Sequence, residues 1–202
     1  MPNKIDNILY IHGFNSSPLS IKSSQTQQFL EKYYPQVNFH CPVLKTSPEL
    51  AIAQLEAIIL SQPSERWYVM GSSLGGYFAS YLSEKFKLLA LLINPAVKPF
   101  DLLNDYLGEQ RNPYTGQVYQ VTKQHLQQLK NLYCQKISEK HYMVMVQTGD
   151  EVLDYQQAVD KYYNSQLIIQ SGGDHRFVDY QQMLPTIMKF FKLAKLTIPF
   201  SS

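Results

Sequence analysis

Residues 67–86 read WYVMGSSLGGYFASYLSEKF, in which an apolar run leads through Gly71-Ser72-Ser73-Leu74-Gly75 into a helical pattern. This is a G-x-S-x-G sequence between a strand and a helix, the setting that is typical of a nucleophile elbow. The turn there is too tight for side chains on its flanks, so glycines stand at both ends and the hydroxyl of Ser73 is exposed on the bend. The stretch therefore predicts a serine nucleophile at a strand-to-helix junction.

The pentapeptide alone does not establish that role. At an average glycine usage of about 7%, such a pattern arises by chance in roughly one chain in fifteen of this length. Gly71 and Gly75 could equally end a strand and begin a helix around a solvated Ser73. The rest of the chain has to decide between these two interpretations.

Short apolar runs alternate with helical patterns along the chain. Several runs are apolar without alternation, which is typical of strands covered on both faces of a parallel sheet. The order predicts an α/β fold with a mostly parallel sheet of about six strands, right-handed crossovers and helices on both faces. The strand candidates are Ile8–Ile11, Val37–Cys41, Trp67–Met70, Leu88–Ile93, Tyr142–Val146 and Leu167–Gln170. The helical stretches are Ile21–Tyr34, Glu49–Ser61, Leu74–Phe86, Asp154–Tyr163 and Pro185–Lys195.

Prolines mark several of the expected helix boundaries. Ser47 is a capping residue and Pro48 suits the first position of the helix that follows it. Pro35 is expected to end the first helix, and Pro185 is expected to begin the last one.

The interval from Val97 to about Ile137 breaks this alternation, because it is polar, aromatic-rich and rich in turns. A helix is expected near Thr122–Leu132. The interval is too long for a plain connection between sheet elements, so we expect a small cap over the active-site edge of a single domain that spans residues 1–202. A peripheral helical excursion with no role toward substrate is the alternative.

The composition bounds the class of protein. Hydrophobic residues make up 45% of the 202 residues, charged residues 17%, and the formal net charge is +2. This balance describes a soluble globular protein and gives no electrostatic case for nucleic acid or for anionic lipid. No run approaches membrane-spanning length, and residues 1–6 lack the apolar segment of a secretory signal. With only Cys41 and Cys134, which are far apart, the expected location is the cytoplasm.

A serine nucleophile needs a base to take its proton and a third group to orient that base. An elbow predicts an acid and then a histidine in chain order, each just past a strand, where the ligand edge of the sheet lies. Asp150 follows the strand candidate that ends at Val146, and His175 follows the one that ends at Gln170. The chain thus supplies Ser73, Asp150 and His175 in the expected order.

Other residues compete for the two partner roles. Of the five histidines, His175 alone lies in a glycine-rich loop directly after a late strand. Asp150 follows a glycine turn, from which a side chain can reach the imidazole. Asp154 instead suits the cap of the following helix. Asp174 adjoins the histidine, and neighbouring side chains rarely face each other well enough to pair.

Acyl transfer also needs donors that point at the developing oxyanion. The backbone N–H of Leu74, just after the nucleophile and at a helix N-terminus, is the first candidate. The backbone N–H of Phe14, in the loop after the first strand, is the second. Gly13 would let that loop turn toward the elbow, and His12 would hold the loop rather than transfer protons. The alternative is that His12 and Gly13 form only a strand-ending turn.

These stretches together resemble the α/β-hydrolase superfamily and, more narrowly, the compact bacterial YqiA-type esterases. The resemblance extends over nearly the whole chain. It is carried by residues 8–17 (ILYIHGFNSS), 71–77 (GSSLGGY), 91–96 (LLINPA), 149–155 (GDEVLDY) and 172–175 (GGDH). It implies a Ser73–Asp150–His175 triad, a cytoplasmic location and hydrolysis of carboxylic esters or thioesters. It also implies a reduced hydrolase sheet without the extra leading strands of larger relatives.

We therefore expect a serine hydrolase that cleaves carboxylic esters of small to medium acyl groups through an acyl-enzyme on Ser73. Its partner would be a small-molecule acyl ester or thioester, and its chemistry requires no metal or other cofactor. An acyl-CoA thioesterase would share this chemistry, with Lys98, Arg111 and Lys123 available for the phosphates of CoA. A non-catalytic hydrolase-fold binding protein is the remaining alternative.

Overall fold

The computed structural model describes residues 4–195, which contain eight strands and seven α-helices. The strands are β1 (Asp6–Ile11), β2 (Asn38–His40), β3 (Arg66–Ser72), β4 (Leu89–Ile93), β5 (Gly108–Arg111), β6 (Val118–Val121), β7 (Tyr142–Gln147) and β8 (Gln166–Gln170). The helices are α1 (Ile21–Tyr33), α2 (Pro48–Ser61), α3 (Leu74–Phe86), α4 (Pro99–Leu102), α5 (Lys123–Asn131), α6 (Tyr155–Lys161) and α7 (Tyr180–Phe190). None of the helices in this described range is both long enough and apolar enough to cross a membrane.

Six strands form one parallel sheet in the order β2-β1-β3-β4-β7-β8. The six strands predicted from the apolar runs are confirmed, with ends that agree to within two residues. Because all six strands run in the same direction, their carboxyl ends meet at one edge of the sheet. The segments that follow β1, β3, β7 and β8 are those that hold the site candidates.

Apolar layers cover both faces of the sheet, which explains why the strands are continuously apolar. In β1, Leu9 and Ile11 pack with α2 and α3, while Ile8 and Tyr10 pack with α1 and α7. All four side chains are at most 1% exposed. Full burial of an aliphatic side chain of this size stabilises a fold by about 1.5–3 kcal/mol.

The last helix begins earlier than predicted. It begins at Tyr180, and Pro185 lies inside it rather than at its first position. Proline removes one main-chain donor and crowds the preceding turn. The helix nevertheless continues, because Leu184, Ile187 and Met188 form a fully buried stripe against the sheet. Tertiary burial here outweighs the local preference of proline.

The interval 97–137 contains more regular structure than the sequence indicates. Its expected helix is present as α5, capped by Thr122. Between α4 and α5 lies an antiparallel hairpin of β5 and β6, which was not expected from the sequence. The chain reverses at Asn112, whose side-chain oxygen accepts from the amides of Tyr114 (2.9 Å) and Thr115 (3.2 Å). Gly116 completes the turn with a φ of 72°, which glycine adopts without strain.

Candidate active site

Ser73 lies at the junction of β3 and α3, in the strained conformation of an elbow. Its φ of 55° and ψ of −121° lie outside the regions that non-glycine residues normally adopt, at a cost of about 1–3 kcal/mol. The flanking glycines allow close backbone contacts. A Cβ atom on Gly75 would overlap the carbonyl group of Ile11, and one on Gly71 would overlap the backbone of Gly75. Neither glycine could therefore be replaced without a shift of the backbone.

Asp150 and His175 form a hydrogen-bonded pair after β7 and β8. The Nδ1 atom of His175 lies 3.0 Å from Oδ1 and 2.9 Å from Oδ2 of Asp150. The Asp150 side chain is only 1% exposed, whereas the His175 side chain is 22% exposed. Such an arrangement holds the imidazole by Nδ1, and within residues 4–195 the other ring nitrogen, Nε2, makes no hydrogen bond.

Hydrogen bonds keep the Asp150 carboxylate ionised in spite of its burial. Burial raises the pKa of Asp150, but bonds from His175 and from the amides of Leu153 and Val152 lower it, and the net pKa lies below the ordinary value. The two amides donate to Oδ1 at 2.8 Å (Leu153) and 2.9 Å (Val152). The backbone turn after β7 thus supplies a preformed cradle for the charge.

The other two candidate acids lie in different surroundings. The Asp154 side chain accepts from the amide of Gln156 at 3.0 Å and caps α6. The Asp174 side chain has a buried oxygen, Oδ1, without a hydrogen-bond partner among residues 4–195. Of the three carboxylates considered from the sequence, Asp150 is therefore the one that the fold places on the imidazole.

Ser73 and His175 line the same cavity, which has a volume of about 650 Å³. In the described range the Ser73 hydroxyl makes no hydrogen bond of 3.5 Å or less with the His175 ring. Catalytic hydrogen bonds are often longer in a ligand-free protein and tighten when substrate binds. The structure thus brings the two side chains to one cavity without joining them directly.

The loop after β1 approaches the elbow closely. A Cβ atom on Gly13 would lie 3.2 Å from both the Ser72 carbonyl oxygen and the Ser73 Cβ atom. The neighbouring Phe14 and the first helical residue, Leu74, both line a smaller pocket beside the cavity. Within residues 4–195, neither the Phe14 N–H nor the Leu74 N–H donates to another protein group. Both amides are therefore unused donors close to the elbow.

The His12 side chain hydrogen-bonds to the backbone of this loop and to the backbone of Leu44. Its Nδ1 atom lies 3.0 Å from the Gly13 carbonyl oxygen, and the amide of Leu44 donates to Nε2 at 3.4 Å. Because an amide can only donate, Nε2 is the acceptor and Nδ1 carries the proton. Burial lowers the pKa of His12 against the opposing effect of the Gly13 bond. His12 is thus a neutral structural residue.

The interval 97–137 also supports the loop after β1. The Tyr119 hydroxyl, on β6, donates to Oδ1 of Asn15 at 2.7 Å, and the Asn112 amide donates to the Ser16 carbonyl at 2.9 Å. The Phe14 ring packs edge-on against Tyr119, with ring centroids 6.4 Å apart. The hairpin of β5 and β6 is therefore bound to the same loop that carries the Phe14 amide.

Two basic residues on the cavity wall were not identified from the sequence. Lys22, in α1, donates to the carbonyl of Arg176 at 2.8 Å, and both residues line the cavity. Burial lowers the pKa of Lys22 to about 8. The only sequence signal was the adjacency of Arg176 to His175. Of the described lining residues, none is a basic residue that we considered for CoA, namely Lys98, Arg111 or Lys123. Nor does the described range contain a cluster of three His, Cys, Asp or Glu side chains suited to a metal ion.

Comparison with known proteins places this geometry in a family. The chain matches the model of an uncharacterised protein family, UPF0227, over residues 7–192. Mouse alpha/beta hydrolase domain-containing protein 10 is 15% identical, with a TM-score of 0.75 over 95% of this chain and 92% of that one. Est1E from Butyrivibrio proteoclasticus, in a structure with ferulic acid bound, is 13% identical, with a TM-score of 0.70 over 95% and 90%. The monoacylglycerol lipase of Paleococcus ferrophilus is 12% identical, with a TM-score of 0.68 over 93% and 95%.

The structural likenesses establish the fold, since identities of this size carry no more than that. The α/β-hydrolase architecture expected from the sequence is confirmed. The family match is more specific, because it covers the elbow, the loop after β1 and the segments that contain Asp150 and His175. The chain belongs to UPF0227, the YqiA-type family of α/β-hydrolase proteins.

Proposed function

We propose that this protein is a serine hydrolase that cleaves carboxylic esters through an acyl-enzyme on Ser73. The observation that carries the proposal is the buried Asp150 carboxylate, which holds the imidazole of His175 at 2.9 Å on the cavity that Ser73 also lines. The names of similar structures, an esterase domain and a monoacylglycerol lipase, agree with this reaction class.

In the proposed mechanism His175 takes the proton of the Ser73 hydroxyl as the oxygen attacks the acyl carbonyl. Asp150 keeps the proton of the neutral ring on Nδ1 and stabilises the imidazolium that forms. The free amides of Phe14 and Leu74 donate to the oxyanion. His175 then gives its proton to the leaving alcohol, and the same residue activates the water that releases the acid.

The cavity supports a substrate of modest size. Its volume of about 650 Å³ falls within the range of about 300–1,000 Å³ that is usual for small-molecule sites. Its wall presents polar and apolar surface in about equal amounts, with Phe14, Ile21 and Phe177 among its apolar members. We infer a preference for small to medium acyl groups. Tyr114, from the turn of the hairpin, also lines the cavity, so we propose that the insertion acts as a cap that limits the bound group.

Labelling with a fluorophosphonate tests the nucleophile, together with turnover of short p-nitrophenyl esters. The expected result is a covalent adduct on Ser73 and loss of both adduct and turnover in Ser73→Ala. Ser72→Ala is the matched control, because Ser72 is the adjacent serine of the same peptide, and it should keep the adduct. An unlabelled wild-type protein would favour a non-catalytic binding protein. Turnover retained in Ser73→Ala would remove Ser73 from its role.

An acyl-CoA thioesterase is a second candidate, because Lys22 and Arg176 place positive charge on the cavity wall. Arg176 is exposed, so its side chain can turn toward a phosphate without leaving a packed position. The test compares p-nitrophenyl and CoA esters of one acyl length in Arg176→Gln and in the control Arg111→Gln, which changes a hairpin residue away from the cavity. A rise in KM for the CoA ester alone, and only in Arg176→Gln, would support a thioesterase. Equal KM values in all proteins would exclude this role for Arg176.

A further inference from the structure

A buried asparagine connects the elbow to residues 171–178, the loop after β8 that carries His175 and is called the histidine loop below. Asn94 follows β4, is 2% exposed and has a φ of 38°, a conformation that asparagine tolerates better than most residues. Its side-chain amide donates to two carbonyl oxygens, those of Asp174 (3.0 Å) and His175 (3.2 Å). Its side-chain oxygen accepts from the amide of Gln147 at 3.0 Å. Both polar atoms of the Asn94 side chain therefore form hydrogen bonds, and these bonds join β7 to the loop that carries His175.

The backbone around Asn94 is bound to the elbow on its other side. The amide of Ser73 donates to the Ile93 carbonyl at 3.1 Å, and the amide of Ala96 donates to the Ser73 carbonyl at 3.1 Å. The amide of Asn94 itself donates to the Met145 carbonyl at 2.8 Å. Residues 93–96 therefore bond to Ser73 through their main chain and to the histidine loop through one side chain.

Gln147, the last residue of β7, holds the same loop from a second direction. Its side-chain oxygen accepts from the amides of Asp174 (3.0 Å) and Val178 (2.9 Å). Its amide group donates to the Val178 carbonyl at 2.9 Å and to the Gln170 side chain at 2.8 Å. Gly173, with a φ of 74°, lies where a Cβ atom would overlap this amide. The loop is consequently fixed on both sides of His175.

The histidine loop lies at the edge of the sheet. It follows β8, which is an edge strand and pairs only with β7. Its residues from Ser171 to Gly173 are exposed, and segments with few buried contacts open easily. The position of an imidazole must hold to within about 0.5 Å for efficient catalysis. The buried amides of Asn94 and Gln147 hold this loop from inside, and the exposed Glu151 carboxylate accepts from the His175 amide at 3.0 Å.

We infer that Asn94 and Gln147 are positioning residues that set the distance between Ser73 and His175. This inference rests on the proposed serine-hydrolase function. Neither side chain lines the cavity, so both act through the backbone of the histidine loop. Loss of either side chain should lower kcat and leave KM nearly unchanged.

Three variants test the inference. Asn94→Gly keeps the positive φ and removes the amide, Asn94→Asp keeps the shape and removes the donor, and Gln147→Met removes all of its side-chain bonds. Asn7→Ala is the matched control, because Asn7 is also fully buried and its amide donates to the carbonyls of Ile5 (3.3 Å) and Arg66 (3.4 Å), at the opposite end of the sheet.

We expect kcat to fall by about ten- to a hundredfold in the three variants, the effect of a displacement of about 1 Å, with KM changed less than about twofold. Amide hydrogen exchange of residues 173–178 should rise in the same variants and stay at the wild-type rate in Asn7→Ala. Wild-type kcat in Asn94→Gly, or an equal fall in Asn7→Ala, would overturn the inference. If Asn94→Gly fails to fold, Gln147→Met decides by the same two readouts.

The exchange measurement keeps this inference separate from the proposed function. A wild-type protein without Ser73-dependent turnover would refute the hydrolase, while faster exchange in the variants would still demonstrate the restraint on the loop. Turnover in the wild type together with unchanged exchange and kcat in the variants would refute the positioning role alone.

Discussion

The two carboxylate oxygens of Asp150 share the Nδ1 atom of His175, at 3.0 and 2.9 Å. A carboxylate can only accept, so the ring must carry its proton on Nδ1. In the neutral form of this tautomer the other ring nitrogen, Nε2, carries a lone pair that can accept a proton, as a general base requires. The pair fixes the tautomer of the imidazole as well as its orientation.

Replacement of Asp150 by asparagine should therefore lower kcat by about 10³–10⁴-fold, since an amide can donate to Nδ1 and hold the wrong tautomer. Steady-state hydrolysis of a p-nitrophenyl ester measures the effect. Asp154→Asn is the matched control, because asparagine caps a helix as well as aspartate does, and its kcat should stay near the wild-type value. Similar losses in both variants would contradict the assignment of Asp150.

Acidification should destabilise the wild type more than Asp150→Asn. The folded-state pKa of Asp150 lies below its ordinary value of 3.8. Its contribution to stability is therefore complete above that value and is lost as the pH falls through the lower, folded-state pKa. Urea denaturation should show the free energies of unfolding of the two proteins converging from about pH 5 to about pH 2. A difference that stays constant over this range would refute the prediction.

Two buried tyrosines should respond differently to loss of their hydroxyls. The Tyr10 hydroxyl has no hydrogen-bond partner in the described range, whereas that of Tyr180 pairs with Oγ1 of Thr26 at 2.8 Å. Tyr10→Phe should leave the free energy of unfolding unchanged or raise it by up to about 1 kcal/mol, and Tyr180→Phe should lower it by about 1 kcal/mol. Urea denaturation at neutral pH measures both. Equal losses would reveal a partner for Tyr10, such as a bound water molecule.

Removal of the Tyr119 hydroxyl should weaken catalysis from outside the cavity wall. Tyr119→Phe loses the bond to Asn15 but keeps the ring against Phe14, so the loop that carries the Phe14 amide is less restrained. We expect kcat to fall about fivefold, the factor that corresponds to about 1 kcal/mol for one hydrogen bond. Tyr163→Phe, at an exposed position after α6, should have the wild-type kcat. An unchanged kcat in Tyr119→Phe would contradict a catalytic need for the bond from Tyr119 to Asn15.

The sheet could be predicted from the sequence because its signals are local. Continuous apolar runs mark strands covered on both faces, and the glycines around Ser73 mark a turn that only they permit. Asp150 and His175 each follow a late strand in the sequence. The two residues meet because those strands run in the same direction and end at the same edge of the sheet. Each of these features depends on residues adjacent in the sequence or on a general rule of parallel sheets.

The features that the sequence did not reveal depend on contacts between distant segments. The strands β5 and β6 have only four residues each, and the hairpin is bound through residues almost a hundred positions away, such as Asn112 to Ser16. Lys22 reaches the cavity because the folded chain places α1 next to Arg176, whose carbonyl accepts from the Lys22 side chain. Asn94 was noted within a motif, but its bonds to residues 174 and 175 require the folded sheet. Pro185 misled because burial of α7 overrode a local preference.

The attachment of the hairpin to the loop after β1 has a consequence for engineering substrate range. An insertion between β4 and β7 looks like a part that could be exchanged between family members to reshape the entrance. Here the transplanted segment would also have to reproduce the bonds to Asn15 and Ser16. A graft chosen only for its length would lose these bonds and leave the loop after β1 less restrained, so under the proposed function a change of substrate range made through this segment should also change turnover.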